Sequence, residues 1–394
     1  MSKILIEYER ISPTLDLFID ILNRFIDVHG GELTKKRIDE IQRNDFVSND
    51  IVFSIRGSSQ GAYYVAKISK ESGLFYCLIM DDDLVDMPPF YRYKSRIKYA
   101  NKIAKIADVI IVSNSTVGEL CKERFGSRIV KLDTIYEIDN IDIKNIPNKG
   151  LTKIIFAANA DHNITFEKYI TPILKNVERK ALTAIQFDFI GVYPKTETEL
   201  MAVNYYMPMP MNKYRNFMKK GQYDIGIAIV EDNFFSNCKY INKFLEYTIC
   251  DVVGIFTNCP LYNKVIKNKF NGFLAKNTSK CWEETLLYAI NNPEAVNRCL
   301  KNAKEYLITH HNSSKIIDGL KNDLPELIDY NAKVCDIRSG IWKIRFSFLT
   351  FAFIEKLDQV FYYLINRGIK ELYQKVKHRI RNNKSYYDEK GVQK

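Results

Sequence analysis

The chain has 394 residues, of which 46% are hydrophobic and 27% charged, and its formal net charge is +11. This length exceeds the usual size of a single hydrophobic core, so two domains are expected. The opening residues contain no secretory segment, and no run of about 18 apolar residues occurs, so the sequence predicts neither export nor a membrane span.

The positive charge is concentrated near the C-terminus. Residues 338–384 carry eleven Lys or Arg and three Asp or Glu, a local charge of +8, whereas the preceding part of the chain is nearly neutral. This distribution indicates a basic tail and argues against a nucleic-acid partner for the body of the protein.

The eight cysteines include no CxxC pair, and no histidine cluster accompanies them. A structural zinc site is therefore not expected. Reduced, buried thiols in a cytoplasmic protein are the favoured interpretation.

Strand-like and helix-like segments alternate along most of the chain, which indicates βαβ units and parallel sheets. In the first half, strands are predicted at residues 3–6, 50–55, 75–80, 109–112 and 129–132, and helices at 15–26, 61–69, 93–106 and 117–125. In the second half, strands are predicted at 153–157, 186–190, 225–229 and 252–256, and helices at 166–177, 212–220 and 283–291. Residues 139–150, with a Pro-Asn-Lys-Gly turn, are predicted to link two α/β domains, 1–145 and 151–325. A helical segment follows at 326–394.

The segment from Asn242 to Ala275 combines features that suit a nucleotide diphosphate. Lys243 and Glu246 lie three residues apart on one face of a predicted helix, and a short apolar strand and an Asn271-Gly272 turn follow. A helix N-terminus and a lysine offset phosphate charge, and a carboxylate can accept hydrogen bonds from ribose hydroxyls. The alternative is a solvated helix face with an ordinary Lys–Glu pair.

Lys239 precedes Lys243 by four residues and is expected on the same helical face. Two lysines so placed repel each other unless an anion lies between them. Lys239 is therefore predicted to share the diphosphate with Lys243.

This arrangement resembles the donor-binding half of GT-B glycosyltransferases, especially retaining bacterial enzymes of the group 1, family 4-like kind. The resemblance covers roughly residues 150–310 and is mostly topological in the N-terminal half. It implies two Rossmann-like domains facing each other across a cleft, and a nucleotide-diphosphate sugar as co-substrate without a metal or other cofactor. Glu246 would hold the ribose, and the loop residues Asn159 and His162 would face the donor and its sugar. A solvent-facing turn histidine is the alternative for His162.

The relatives carry two glutamates with seven residues between them in this region. Glu246 matches the second glutamate, whereas Cys238 stands where the first is expected. This departure leaves both the sugar contacts and the retaining stereochemistry open.

Asp81, Asp82 and Asp83 directly follow a predicted strand, at the sheet edge where ligands of parallel sheets bind. Adjacent carboxylates repel one another unless they are solvated or bound. They could line the cleft, bind acceptor hydroxyls or act as a base, or they could be no more than acidic residues at a helix start. A third alternative is the Asp81-x-Asp83 metal motif of GT-A enzymes, but those lack a second Rossmann-like half.

Apolar residues recur at spacings of three and four within 340–380, among many lysines and arginines, which predicts amphipathic helices. Such helices could bind an anionic membrane surface through residues 340–384 or pack back on the first domain. The sequence therefore predicts a cytoplasmic bacterial glycosyltransferase, peripheral on the inner face of the plasma membrane. It would transfer a sugar to a glycan or lipid-linked acceptor in capsule or lipopolysaccharide biosynthesis. The alternatives are a metal-dependent GT-A transferase and a non-catalytic nucleotide-sugar-binding scaffold.

Overall fold

The computed structural model describes residues 2–86, 94–138, 150–158, 162–192, 202–332, 340–366 and 369. Within these residues the chain forms two six-stranded sheets, and every strand pair in both sheets is parallel. The α/β class and the two-sheet architecture predicted from the sequence are confirmed.

The first sheet has the strand order β2-β1-β3-β4-β5-β6. Its strands are β1 (Lys3–Tyr8), β2 (Glu32–Arg37), β3 (Ile51–Ile55), β4 (Phe75–Met80), β5 (Val109–Val112) and β6 (Arg128–Lys131). Its helices are α1 (Pro13–His29), α2 (Arg43–Val47), α3 (Gln60–Glu71), α4 (Lys94–Ala104) and α5 (Ser115–Phe125), with a short 3-10 helix at Ile38–Glu40. The three strands β3, β4 and β5 are buried along their whole length because helices cover both faces of the sheet.

The second sheet has the order β12-β11-β10-β7-β8-β9. Its strands are β7 (Leu151–Ala157), β8 (Ala184–Ile190), β9 (Val203–Tyr206), β10 (Ile225–Ala228), β11 (Val253–Thr257) and β12 (Phe273–Ala275). Its helices are α6 (Asn163–Tyr169), α7 (Leu174–Lys180), α8 (Met211–Gly221), α9 (Phe234–Asn237), α10 (Asn242–Ile249), α11 (Pro260–Asn263), α12 (Ser279–Asn291) and α13 (Pro293–His310). The helix predicted at 166–177 is interrupted by a 3-10 turn, Thr171–Ile173, because Pro172 lacks the N–H that a continuous helix needs.

After the second sheet the chain returns to the first. Helix α14 (Ser313–Asp323) packs on α1, and its Ile316 and Leu320 join the core of the first sheet. Two further helices follow, α15 (Glu326–Asp329) and α16 (Ile341–Asn366), and α16 lies along α3. The return therefore begins at about Ser313, earlier than the residue 326 expected from the sequence. Of the predicted linker, residues 139–150, only Gly150 lies within the described residues.

The two halves contact each other through the segment between β10 and α10. Asn114, which caps α5, donates its amide to the backbone oxygens of Asn237 (2.9 Å) and Lys239 (2.6 Å). Between them, the Cys238 side chain is fully buried in the hydrophobic core of the first half. These contacts hold the segment between β10 and α10 against the first half.

Candidate active site

A cavity of about 350 Å³ opens at the carboxyl ends of the second sheet, a size within the usual range of small-molecule sites. Its floor is formed by residues that end β7, β8 and β10, and one wall is formed by α10. Pro13, at the start of α1, contributes from the first half. The cavity thus lies where ligands of open parallel sheets bind. Its polar lining side chains are His162, Tyr214, Lys243, Glu246 and Tyr262.

Lys243 and Glu246 form an ion pair inside this cavity, and their predicted shared helical face is confirmed. Lys243 Nζ lies 3.0 Å from Glu246 Oε2 and 3.1 Å from the hydroxyl of Tyr214. Burial favours a lower pKa for Lys243, but the Glu246 carboxylate outweighs it, and the pKa of Lys243 is raised. The Lys243 ammonium is therefore held in the first turn of α10, beside the Glu246 carboxyl group, whose side chain is only 10% exposed.

Lys239 is not on the same helix as Lys243, so that prediction is wrong. Helix α10 begins at Asn242, and no side chain caps it at Ile241. The chain before it is drawn toward the first half by buried Cys238 and by the hydrogen bonds from Asn114. The Lys239 ammonium lies over the Phe235 ring, and its charge acts on Asp82.

His162 lines the cavity, at the turn that begins α6. Its Nδ1 lies 3.2 Å from the backbone oxygen of Ile229. Because a carbonyl only accepts hydrogen bonds, this contact assigns the proton to Nδ1 in the neutral ring. Asn159, predicted in the same loop, lies outside the described residues.

The three consecutive aspartates have different hydrogen-bond partners. Asp81 Oδ2 accepts from Thr14 Oγ1 at 2.6 Å, and Asp82 Oδ2 accepts from Arg56 Nη2 at 3.0 Å. The Asp83 side chain is buried, and its Oδ1 accepts from the backbone amides of the next turn, those of Val85 and Asp86.

The electrostatics of this group centre on Arg56, which is not among the site residues predicted from the sequence. Arg56 Nε lies 3.3 Å from Asp81 Oδ1, so the guanidinium spans both carboxylates. Burial, and then the neighbouring Asp81, raise the pKa of Asp82 to about 6. Within the described parts of the chain no three His, Cys, Asp or Glu side chains are arranged to hold a metal ion.

A second, smaller cavity of about 80 Å³ lies at the carboxyl ends of the first sheet. Asp81, Thr14 and Tyr240 supply polar groups, whereas most of the lining is apolar. Pro13 lines both cavities, so the start of α1 separates them.

The fold is similar to several solved structures at low sequence identity. Anabaena Alr3699/HepE, solved in complex with UDP-glucose, gives a TM-score of 0.58 at 11% identity, covering 83% of this chain and 100% of that chain. Sucrose-phosphate synthase from Thermosynechococcus elongatus gives 0.57 at 10% identity, covering 83% and 99%. The lipopolysaccharide outer core galactosyltransferase WaaB gives 0.55 at 13% identity, covering 82% and 99%. No protein-family model and no curated protein sequence matches the chain. The two parallel sheets and these similarities together show that the chain has the GT-B glycosyltransferase fold.

Proposed function

We propose that this protein is a glycosyltransferase that binds a nucleotide-diphosphate sugar in the larger cavity. The observation that carries this proposal is the contact of Lys243, in the first turn of α10, with Glu246 of the same helix and with Tyr214 of α8, inside the cavity. A fixed ammonium and a helix N-terminus suit a diphosphate, and the carboxylate suits a ribose. The solved complex of HepE with UDP-glucose makes UDP-glucose the first donor to test.

Donor binding would rearrange the Lys243–Glu246 pair. The diphosphate would take over the ammonium of Lys243, and Glu246 would accept hydrogen bonds from the ribose hydroxyls. During transfer the bond between the anomeric carbon and the diphosphate oxygen breaks, and negative charge develops on the leaving diphosphate. A preorganised cation stabilises that charge more than it stabilises the ground state, and this difference lowers the barrier.

The acceptor would approach from the first half, past Asp81 and Asp82. We propose a retaining front-face displacement without a metal cofactor, in which the acceptor oxygen bonds to the anomeric carbon and its proton passes to the leaving diphosphate. In an inverting reaction a carboxylate such as Asp82 would take this proton instead. The anomeric configuration of the product, read by NMR, separates the two courses.

The proposed acceptor is a glycan or a lipid-linked glycan of bacterial surface polysaccharide, capsule or lipopolysaccharide, made at the cytoplasmic face of the plasma membrane. Similarity to a lipopolysaccharide outer core galactosyltransferase supports this class of acceptor. The basic, apolar C-terminal helix supports a place at an anionic membrane surface.

A donor screen tests the proposal. Thermal shifts are measured with UDP-, GDP-, ADP- and CMP-sugars, because a ligand that binds the folded state raises its stability, and a tighter ligand raises it more at the same concentration. Release of the nucleoside diphosphate is then followed with the best donor, with and without EDTA. We expect one nucleotide class to stabilise the protein and to be turned over. Binding without any turnover would indicate a non-catalytic scaffold, and turnover abolished by EDTA would contradict the metal-independent course.

A matched pair of variants localises the site. Lys243→Met should abolish the thermal shift with the best donor, because it removes the cavity's ammonium. Lys280→Met is the control, since Lys280 pairs with Glu284 on the exposed face of α12, with side chains 86% and 64% exposed. Equal losses in the two variants, or none in Lys243→Met, would contradict the assigned site.

A further inference from the structure

Helix α16 exposes its large apolar side chains and buries a smaller, partly polar face. Trp342, Phe346, Leu349 and Phe353 are 68%, 62%, 53% and 63% exposed, and their spacing places them on one stripe of the helix. Leu357, Val360 and Leu364 continue the stripe and are also exposed. The buried face consists of Ile344, Ser347, Phe351 and Glu355. A continuous apolar stripe of this size on a surface helix marks an interaction site.

The buried face is anchored so that the helix cannot roll to hide the stripe. Glu355 pairs with Arg96 of α4 through two contacts, Oε1–Nε at 2.9 Å and Oε2–Nη2 at 3.0 Å, and also with Arg10. The Arg96 guanidinium lies 5.3 Å from the centre of the Phe351 ring, which in turn contacts Tyr99. Rolling the helix would strip Glu355 of both cations. The outward direction of the stripe is therefore a fixed property of the first half.

Charge distinguishes among the surfaces that could cover the stripe. Exposed Lys343, Arg345 and Lys356 lie along α16, and exposed Lys98 of α4 lies beside Tyr99, which contacts α16. The chain from 338 to 384 has a local charge of +8. Pairing two copies through this face would bring these like charges together, whereas anionic lipid headgroups would neutralise them. Aromatic side chains flanked by basic ones suit the boundary between headgroups and acyl chains.

We propose that the outer face of α16 is a docking surface for an anionic lipid bilayer, on which the helix lies in the plane of the interface. Within the described residues no helix is long and apolar enough to cross a bilayer. The apolar stripe would enter the boundary of the acyl chains, and the flanking lysines and arginines would remain among the headgroups.

The position of the docking surface also determines where the cleft lies relative to the bilayer. Glu355, on the inner face of α16, pairs with Arg10, and Pro13, three residues further along the chain, lines both cavities. Three Cα–Cα steps span at most about 11 Å, so the cleft opens close to the anchored part of α16. A lipid-linked acceptor could then reach the cleft while its lipid remains in the bilayer. This consequence rests on the proposed transferase function, whereas the docking surface does not.

Vesicle binding of the full chain tests the proposal. Co-sedimentation is measured with phosphatidylcholine vesicles that contain or lack phosphatidylglycerol, at low and high salt. The test variant is Phe346→Ser/Phe353→Ser. The control is Ile164→Ser/Leu182→Ser, which changes two apolar residues in the second half that are 73% and 81% exposed. We expect salt-sensitive binding to anionic vesicles, about a hundred-fold weaker in the test variant and unchanged in the control.

The fluorescence of Trp342 reports whether α16 enters the bilayer. The chain has two tryptophans, and Trp282 is fully buried whereas Trp342 is 68% exposed. Anionic vesicles should shift the emission of the wild-type protein to the blue, and Trp342→Phe should abolish the shift while vesicle binding persists. No vesicle binding, equal binding by the serine variant, or a shift that survives in Trp342→Phe would overturn the proposal. Dimers that form in solution without vesicle binding, and that the serine variant abolishes, would assign the face to a second copy and overturn it too.

Donor binding is measured on the same samples by thermal shift with the UDP-, GDP-, ADP- and CMP-sugars of the donor screen. Vesicle binding without any donor response would contradict the proposed transferase function but not the proposed docking surface. A donor response without vesicle binding would do the reverse.

Discussion

Arg96 joins three separate parts of the first half, and its replacement by methionine offers a quantitative test of that role. Its guanidinium contacts Glu9 Oε2 at 2.6 Å, Ser58 Oγ at 2.8 Å and the carboxylate of Glu355. Glu9 in turn accepts from the backbone amides of Ser58 and Ser59, at the start of α3. The network therefore ties the end of β1 and the start of α3 to α4 and α16.

The expected loss follows from the burial of the two carboxylates. The side chains of Glu9 and Glu355 are each 6% exposed. Methionine fills the space of the arginine stem but leaves both charges without Arg96, and breaking a buried pair in this way typically costs about 3–5 kcal/mol. Glu355→Gln should cost less, about 1–2 kcal/mol, because it removes one charge and keeps the Arg96–Glu9 contact.

The loss of stability in Arg96→Met should depend on pH, and the pKa shift of Glu355 gives the direction of this dependence. In the wild type, Arg96 and Arg10 outweigh the effect of burial and lower the pKa of Glu355, so its stabilising contribution is present above its unfolded pKa and is lost as the pH falls through its folded pKa. In Arg96→Met, burial without that cation should raise the pKa of the Glu355 carboxyl, which then protonates at higher pH. The difference in stability between the two proteins should therefore shrink as the pH falls toward about 4.5.

Urea unfolding followed by circular dichroism, at pH 7 and again at pH 5, measures the difference. If Arg96→Met lowers the free energy of unfolding by less than about 1 kcal/mol at pH 7, Arg96 contributes no more than a surface ion pair does, and its proposed role in joining the buried network is wrong. A loss that grows as the pH falls would refute it as well.

Three further predictions concern buried positions. Burial raises the pKa of Glu7 to about 8 from an unfolded 4.5, so the free energy of unfolding should fall by roughly 4 kcal/mol between pH 5 and pH 8. Thermal unfolding across that range should show this slope in the wild type and not in Glu7→Gln, and equal slopes in the two proteins would contradict the prediction. Cys238→Glu restores the glutamate expected from the family pattern, yet it should destabilise the protein by about 3 kcal/mol or more, because position 238 is fully buried beside Asp82 and Asp83. Donor turnover should not rise, and a stable variant with faster turnover would contradict this prediction. Gly226→Ala should cost about 1–3 kcal/mol in urea unfolding, because the new Cβ would lie 2.5 Å from the buried Tyr247 ring; an unchanged midpoint would show that the ring moves freely.

The predicted strands succeeded where burial on both faces imposes an apolar run. Strands β4 and β5 match their predicted bounds because every residue in them is buried. Strands β2 and β9 were missed because they lie at sheet edges and carry mostly polar or exposed side chains, so neither the alternation nor the apolar run that marks a strand is present.

The candidate site was predicted where its chemistry is local in sequence and missed where it depends on packing. Lys243 and Glu246 lie one helical turn apart, so their pairing follows from helix geometry alone. Lys239 was misplaced because no capping side chain marks the start of α10, and only contacts with the first half fix the chain there. The Arg56 contacts with Asp81 and Asp82 join the ends of two neighbouring strands, which only the sheet order brings together.

The most direct test of the donor site is a calorimetric titration of UDP-glucose into wild type, Glu246→Gln and Glu284→Gln. Glu246 lines the cavity and pairs with Lys243, whereas Glu284 pairs with Lys280 on an exposed helix face. We expect Glu246→Gln to bind UDP-glucose at least about ten-fold more weakly, because a charged acceptor for the ribose hydroxyls is lost. Glu284→Gln should bind it as the wild type does. Wild-type affinity in Glu246→Gln would contradict the donor site proposed for this protein.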